Sequence, residues 1–177
     1  MRIIAGKHRG RVLAEFRGQE IRPTADRVKE SLFQILSPRL IGARVLDLFC
    51  GSGALGIEAL SRGARSVVFN DLSRESLAVC KKNLAAVKEE GELSALDFRA
   101  CLMRVSGKFD LIFSDPPYKG KYTAEILEII ASRNLLAEGG LVIAESEEKE
   151  QAPEGWEIAD FRSYGRTKIT MLKRSAP

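Results

Sequence analysis

The segment Val45-Leu46-Asp47-Leu48-Phe49-Cys50-Gly51-Ser52-Gly53-Ala54-Leu55-Gly56 reads as an apolar strand, a glycine turn and the start of a helix. Gly51 and Gly53 can take positive φ and let a ligand come close to the backbone, and Gly56 lets the helix pack tightly on its strand. The pattern G-x-G-x-x-G discriminates little by itself. Asp71 strengthens it. It ends the next strand, where a carboxylate can accept both hydroxyls of a ribose, so an adenosine-type cofactor is expected. Asp47 bears on which one. A carboxylate just before the loop repels a pyrophosphate and attracts a cationic amino-acid moiety, which favours S-adenosylmethionine over a nicotinamide dinucleotide. The plainer readings are that Asp47 satisfies backbone amides in the turn and that Asp71 caps the following helix. A second group, Asp115-Pro116-Pro117-Tyr118, follows the apolar run 109–114. Prolines cannot extend a central strand, so these could be only a rigid exit from a sheet. A carboxylate and an aromatic ring flanking the prolines, with the cofactor loop one or two strands away, point instead to a reacting centre.

The elements that must position these groups alternate regularly. Strands are expected at 43–49, 66–70, 93–99, 109–114 and 140–144, and helices at 54–62, 74–87 and 122–133. Residues 156–163 and 167–173 read as a final hairpin through Tyr164-Gly165. Such alternation means right-handed βαβ units and a mostly parallel sheet, here of seven strands, with helices on both faces. Sites in such sheets lie at the carboxyl ends of the strands, where both groups fall. Ahead of this unit, 2–4 and 11–14 flank a Gly6-Lys7-His8-Arg9-Gly10 turn, a small β-hairpin, and 26–36 has the spacing of an amphipathic helix. Residues 1–177 are expected to form one domain, with 1–38 a basic hairpin-and-helix extension that binds RNA.

With 45% hydrophobic and 29% charged residues, the composition is that of an ordinary globular protein. No apolar run approaches the roughly 20 residues of a membrane helix, and the opening residues lack a signal peptide's apolar stretch. A cytoplasmic protein without a membrane partner is the expectation. Cys50, Cys80 and Cys101 lack metal-ligand spacing and read as reduced, buried thiols, and no metal is expected. The net charge is +4. Its distribution says more: Arg2, Lys7, Arg9 and Arg11 come without an acid, Arg17, Arg22, Arg27 and Lys29 follow, and the tail carries Arg162, Arg166, Lys168, Lys173 and Arg174. A solvated surface is the plainer reading of such runs. A polyanion-binding face requires the two termini to meet.

Asp47-x-Phe49-x-Gly51-x-Gly53 resembles motif I of the Rossmann-like class I methyltransferases, and the terminal hairpin fits their sheet. Asp97 then lies where a third-strand acid often contacts the adenine amino group, although the usual acid-alanine pair appears as Arg99-Ala100. Asp115 to Tyr118 resembles motif IV of the amino-methyltransferases, which act on adenine N6, cytosine N4 or guanine N2. The chemistry explains the residue types. An exocyclic amine is a poor nucleophile because its lone pair is delocalised into the ring. The Asp115 carboxylate and the Pro116 carbonyl can accept its two N–H bonds, which frees the lone pair and stabilises developing positive charge. Pro117 helps fix the carbonyl direction, and Tyr118 can stack on the base. A base inside a duplex would first have to be extruded.

Residues 1–7, Arg9-Gly10-Arg11 and Arg22-Pro23-Thr24-x-Asp26-Arg27-Val28-Lys29-Glu30-x-Leu32-Phe33, together with Ala144-Glu145-Ser146, resemble the bacterial 16S ribosomal RNA guanine-N2 methyltransferase family. The resemblance spans nearly the whole chain. His8, the sole histidine, replaces the family's usual tryptophan and reads as a turn residue touching a phosphate. The resemblance implies a cytoplasmic monomer that uses S-adenosylmethionine and acts on 16S rRNA or the assembling small subunit. It places Thr24 and Arg27 at the methionine end of the cofactor, beside Asp47, Phe49, Gly51, Gly53 and Asp71. Lys7, Arg9 and Arg11, helped by Arg166 and Lys168, would contact RNA phosphates. The alternatives are an adenine-N6 methyltransferase, which the tetrapeptide fits equally, a nicotinamide-dependent oxidoreductase and a non-catalytic RNA-binding module.

Overall fold

Helix α1 (Pro23–Leu36) opens on a proline, whose missing N–H is no loss at the first helical position, and passes at Ser37-Pro38 into one 3-10 turn. The alternation then follows: β1 (Arg44–Asp47), α2 (Ala54–Ser61), β2 (Ser66–Asn70), α3 (Arg74–Ala86), β3 (Glu92–Ser94), α4 (Phe98–Arg104), β4 (Phe109–Ser114), α5 (Thr123–Ser132), β5 (Leu136–Ser146), β6 (Trp156–Tyr164) and β7 (Thr167–Arg174). The structure, a computed structural model, describes residues 1–16, 23–116 and 121–177. Among the described residues no helix is long and apolar enough to cross a membrane.

The seven strands form one sheet in the order β3-β2-β1-β4-β5-β7-β6. The first five pair in parallel, and β7 runs antiparallel to both β5 and β6. This is the expected Rossmann-like sheet with its terminal hairpin. Successive strand residues alternate between two cores. Val45, Leu111, Phe113 and Ile143 pack with α1, α2 and α3, whereas Leu46, Ile112 and Val142 pack with α4 and α5. Helices therefore cover both faces. From β1 the chain moves outward to β2 and β3, and β4 then returns to pair with β1 on its other side. The switch point lies between β1 and β4, where a crevice opens at the strand ends.

The structure corrects one expectation and gives the form of another. The strand expected over 93–99 is only Glu92–Ser94, and a helix follows it directly. Asp97 caps that helix by accepting a hydrogen bond from the Arg99 N–H, 3.0 Å. Phe98, Cys101 and Leu102, at helical spacing, are buried beneath it. The N-terminal hairpin is held by a single antiparallel bridge between Arg2 and Val12, and Ile3, Gly10 and Leu13 donate across it to Arg11, Ile3 and Met1. Its position is set by the body of the fold. The Ile4 N–H donates to both oxygens of the fully buried Glu58 at 2.9 and 3.2 Å. Lys29 Nζ donates to the Arg2 carbonyl, 3.1 Å. Gly6, at φ +86°, lies so close to α2 that a Cβ there would stand 1.9 Å from the Ser61 carbonyl oxygen. All three cysteines are buried and unpaired.

Candidate active site

Asp47 is the last residue of β1 and is 2% exposed. Its Oδ2 accepts a hydrogen bond from the Gly56 N–H at 3.1 Å, so it does brace the first turn of α2 from below the loop. Burial pushes its pKa up to about 7, opposed by that hydrogen bond and aided by the nearby Asp71 charge. A carboxylate this reluctant to ionise has more negative charge than its surroundings compensate, the condition a cationic ligand relieves. Gly51 and Gly53 both have positive φ, 54° and 86°, and Gly53 is the residue from which α2 starts. They differ in surroundings. A Cβ on Gly53 would stand 2.6 Å from the Cys80 sulfur, whereas one on Gly51 would meet nothing within 4 Å. Gly53 is thus required by packing, and Gly51 borders open space.

Asp71 follows β2 and is half-buried. Its Oδ2 accepts from the Gly51 N–H and its Oδ1 from the Ser73 N–H, both at 2.9 Å. The cap of α3 is Ser73, which accepts from the Ser76 N–H at 3.2 Å. A carboxylate offers about four acceptor positions, so two remain for hydroxyl groups. The residue types fit an adenosine-bearing cation: an open glycine backbone, a carboxylate beside it with acceptor capacity, and a strained carboxylate underneath. Two buried amides missed by sequence reasoning hold this cradle. Asn70 donates to the Leu48 and Leu96 carbonyls at 3.2 and 3.0 Å, and Asn83 to the Ser52 and Ala14 carbonyls at 2.9 and 3.0 Å. Amides at the end of a strand or within a helix carry no sequence signal that separates this role from a surface one. Phe49 is half-buried, and its ring packs 5.7 Å from that of Phe98 on the α4–α5 side. Asp97, the candidate for adenine, serves as the α4 cap.

Register brings the second group to the same edge. Asp47 pairs with Phe113, and Ser114 pairs with Ala144, so Asp115 leaves β4 between the ends of β1 and β5. Asp115 and Glu145 line one cleft, walled by Leu32 of α1, Leu55 of α2, Phe113 and Ile143. Asp115 as a whole residue is exposed at the strand end, but its carboxyl is crowded. Burial, then the Glu145 and Asp47 charges, raise its pKa well above the usual carboxylate range. Burial raises Glu145 as well. Carboxylates coupled in this way titrate as a pair rather than singly. Next to them, Ser114 Oγ is buried with no hydrogen-bond partner. Glu145 was missed as a site residue. Its signal was available, since it is an acid ending an apolar strand, as Asp71 is. Pro116 is half-buried after Asp115. Pro117 and Tyr118 lie outside the described residues, as does the Thr24 side chain.

The basic residues divide. Lys7 pairs with Glu89, which His8 Nε2 also reaches at 2.8 Å, and Arg11 donates to the Ala86 carbonyl at the end of α3. Lys168 donates to Ser163 Oγ, 2.8 Å, and to the Gly165 carbonyl. Each of these cations has a partner within the fold, although Lys7 and Arg11 remain exposed. Arg9 and Arg166 are exposed. Arg27 lies on the surface of α1 and lines a cavity with Arg2 and Arg9 of the hairpin. Ser31 of α1 and the Tyr164 hydroxyl at the end of β6 hydrogen-bond at 2.5 Å, so α1 touches the terminal hairpin beside its turn.

Residues 1–173 match the family model described as conserved hypothetical protein 95. The chain is 37% identical to the ribosomal RNA small subunit methyltransferase D of Haemophilus influenzae over 175 residues, covering 93% of this chain and 89% of the relative. It is 33% identical to the enzyme of that name from Escherichia coli K12, with coverage of 99% and 91%. A solved Escherichia coli structure, provisionally described as the methyltransferase yhhF, superposes with a TM-score of 0.88 at 30% identity and covers 100% of this chain and 99% of its own.

Proposed function

The chain belongs to the conserved hypothetical protein 95 family, and from its similarity to the small-subunit ribosomal RNA methyltransferases D we propose that it methylates the exocyclic N2 of a guanine in 16S rRNA. The observation that carries the reading is the meeting of Asp115 with the glycine loop at the switch point between β1 and β4.

S-adenosylmethionine supplies, when bound, a methyl group on a positively charged sulfur, an electrophile that needs no metal. Asp71 and the backbone at Gly51 and Gly53 would hold its ribose and approach its chain, and Asp47 would favour its cationic amino-acid end. Asp115 and the Pro116 carbonyl accept the two N–H bonds of the target amine and so release its lone pair, while Pro117 and Tyr118 shape and stack the base pocket. As the N–C bond forms and the S–C bond breaks, the amine becomes positively charged and must lose one proton. The Asp115 carboxylate, its proton affinity raised beside Glu145, is placed to take it. Asp115 must be ionised to accept, and its raised pKa means that activity falls as pH drops through that value and is fully present above it.

The extension 1–38 and the sheet domain act as one unit, a cytoplasmic monomer whose substrate is small-subunit rRNA, free or in the assembling particle. The test is nucleoside mass mapping of rRNA from a strain lacking the gene. One N2-methylguanosine should be absent from small-subunit rRNA and return on complementation. Loss of an N6-methyladenosine instead would establish the alternative chemistry, and an unchanged methylation map would overturn both.

A further inference from the structure

We propose that the cavity between the N-terminal hairpin and α1 is a second nucleotide subsite, holding a residue of the substrate RNA other than the methylated one. The proposal rests on the rRNA reading above. The cavity measures about 310 Å³ and lies on the opposite side of α1 from the core. Asp26, Arg27 and Glu30 face it from α1, while Val28, Lys29, Leu32, Phe33 and Leu36 are the buried face of the same helix. Arg2 and Arg9 face it from the hairpin. Leu32, six residues along α1 from Asp26, lines the Asp115 cleft. At about 1.5 Å per residue, the two sites lie only about 9 Å apart along the helix axis.

Its chemistry is that of a nucleotide. Arg2, Arg9 and Arg27 are exposed, and none of their guanidinium groups has a carboxylate partner among the described residues. This contrasts with Lys7, paired to Glu89, and with Arg11, bound to the Ala86 carbonyl. Three guanidinium groups around one concavity are a phosphate clamp. A simple anion does not account for the rest. Asp26 is half-buried and lines the same cavity, so the exposed side of its carboxylate is free to take a donor there, while its inward oxygen Oδ1 accepts no hydrogen bond. Glu30 adds a second carboxylate at the rim. A ligand that is anionic at one end and offers N–H groups at the other satisfies both halves: phosphate on the arginines, and a base imino or amino group on Asp26. This reassigns Arg27 from the cofactor to the RNA. It also gives the hairpin anchors at Glu58 and Lys29 a purpose, since they fix Arg2 and Arg9 relative to α1.

The experiment uses the full chain, tritiated S-adenosylmethionine and small ribosomal subunits from a strain lacking the gene. The Arg2→Ala/Arg9→Ala/Arg27→Ala variant should raise KM for subunits about tenfold or more and lower the slope of log KM against log salt by up to about three. Its kcat, its cofactor affinity and its melting temperature should stay at wild-type values. Asp26→Ala should raise KM at every salt concentration without altering the slope, because it removes a base contact and no phosphate contact. Lys108→Ala, an exposed lysine just before β4 and so at the opposite end of that strand from the crevice, is the control and should change neither quantity. Wild-type KM and slope in the triple variant would overturn the subsite while leaving the function intact. An unchanged KM in Asp26→Ala would overturn the base contact. Failure of the wild-type protein to label rRNA, with cofactor bound, would instead overturn the reading on which the subsite rests.

Discussion

Asp47 and Asp115 are both carboxylates at strand ends, and both are harder to ionise than usual, but they serve different partners. Asp47, with a pKa of about 7, would meet a cationic ligand that prefers its ionised form. Ligand binding must then expel a proton below pH 7. The affinity for S-adenosylmethionine should therefore tighten by roughly tenfold between pH 6 and 8, and this dependence should vanish in Asp47→Asn. Calorimetry in buffers of differing ionisation heat measures the released proton directly. Asp71→Ala should weaken cofactor binding by roughly 1.5–3 kcal/mol through lost charged hydrogen bonds. The positions of Asp47 and Asp71 beside the glycine turn were legible in the sequence, and so were the backbone amides that each accepts there. Glu145 was less legible. Only the pairing of Ser114 with Ala144 reveals that it shares a cleft with Asp115.

At the scale of elements, hydrophobic periodicity was enough to place β1, β2, β4, α3 and the terminal hairpin, since each buries an unbroken or clearly spaced apolar set. It failed over 93–99. Leu93 and Phe98 read as parts of one strand, but a strand and a helix meet there, and the decisive residue is Asp97. Local capping won over pattern, so Asp97→Ala should destabilise the fold by about 1 kcal/mol in denaturant titration, with little change in cofactor affinity. The hairpin poses the reverse problem. Its charge was obvious, but its charge partners are distant in sequence, and only the fold shows that Lys7 and Arg11 are engaged while Arg9 is free. Gly6 is its hinge against α2. Gly6→Ala combines a positive φ with a backbone clash and should cost roughly 2 kcal/mol or more, seen as earlier unfolding and faster proteolysis of the N-terminal segment.

Across the whole molecule, the sheet order does the main work. Returning β4 to pair with β1 puts the glycine loop and Asp115 at one crevice, although they are separated by about sixty residues in sequence. The contact between Ser31 and Tyr164 joins α1 to the terminal hairpin, a pairing of distant segments that composition alone left open. The central claim is that the Asp115 carboxylate acts on the target amine. It is tested most directly by single-turnover transfer of tritiated methyl from saturating S-adenosylmethionine to unmethylated small subunits, comparing wild type with Asp115→Asn. The account predicts a rate lower by on the order of 10² or more, with cofactor affinity nearly unchanged, because one electrostatic group has been removed from the transition state alone. Methyl transfer by the variant at close to the wild-type rate would contradict it.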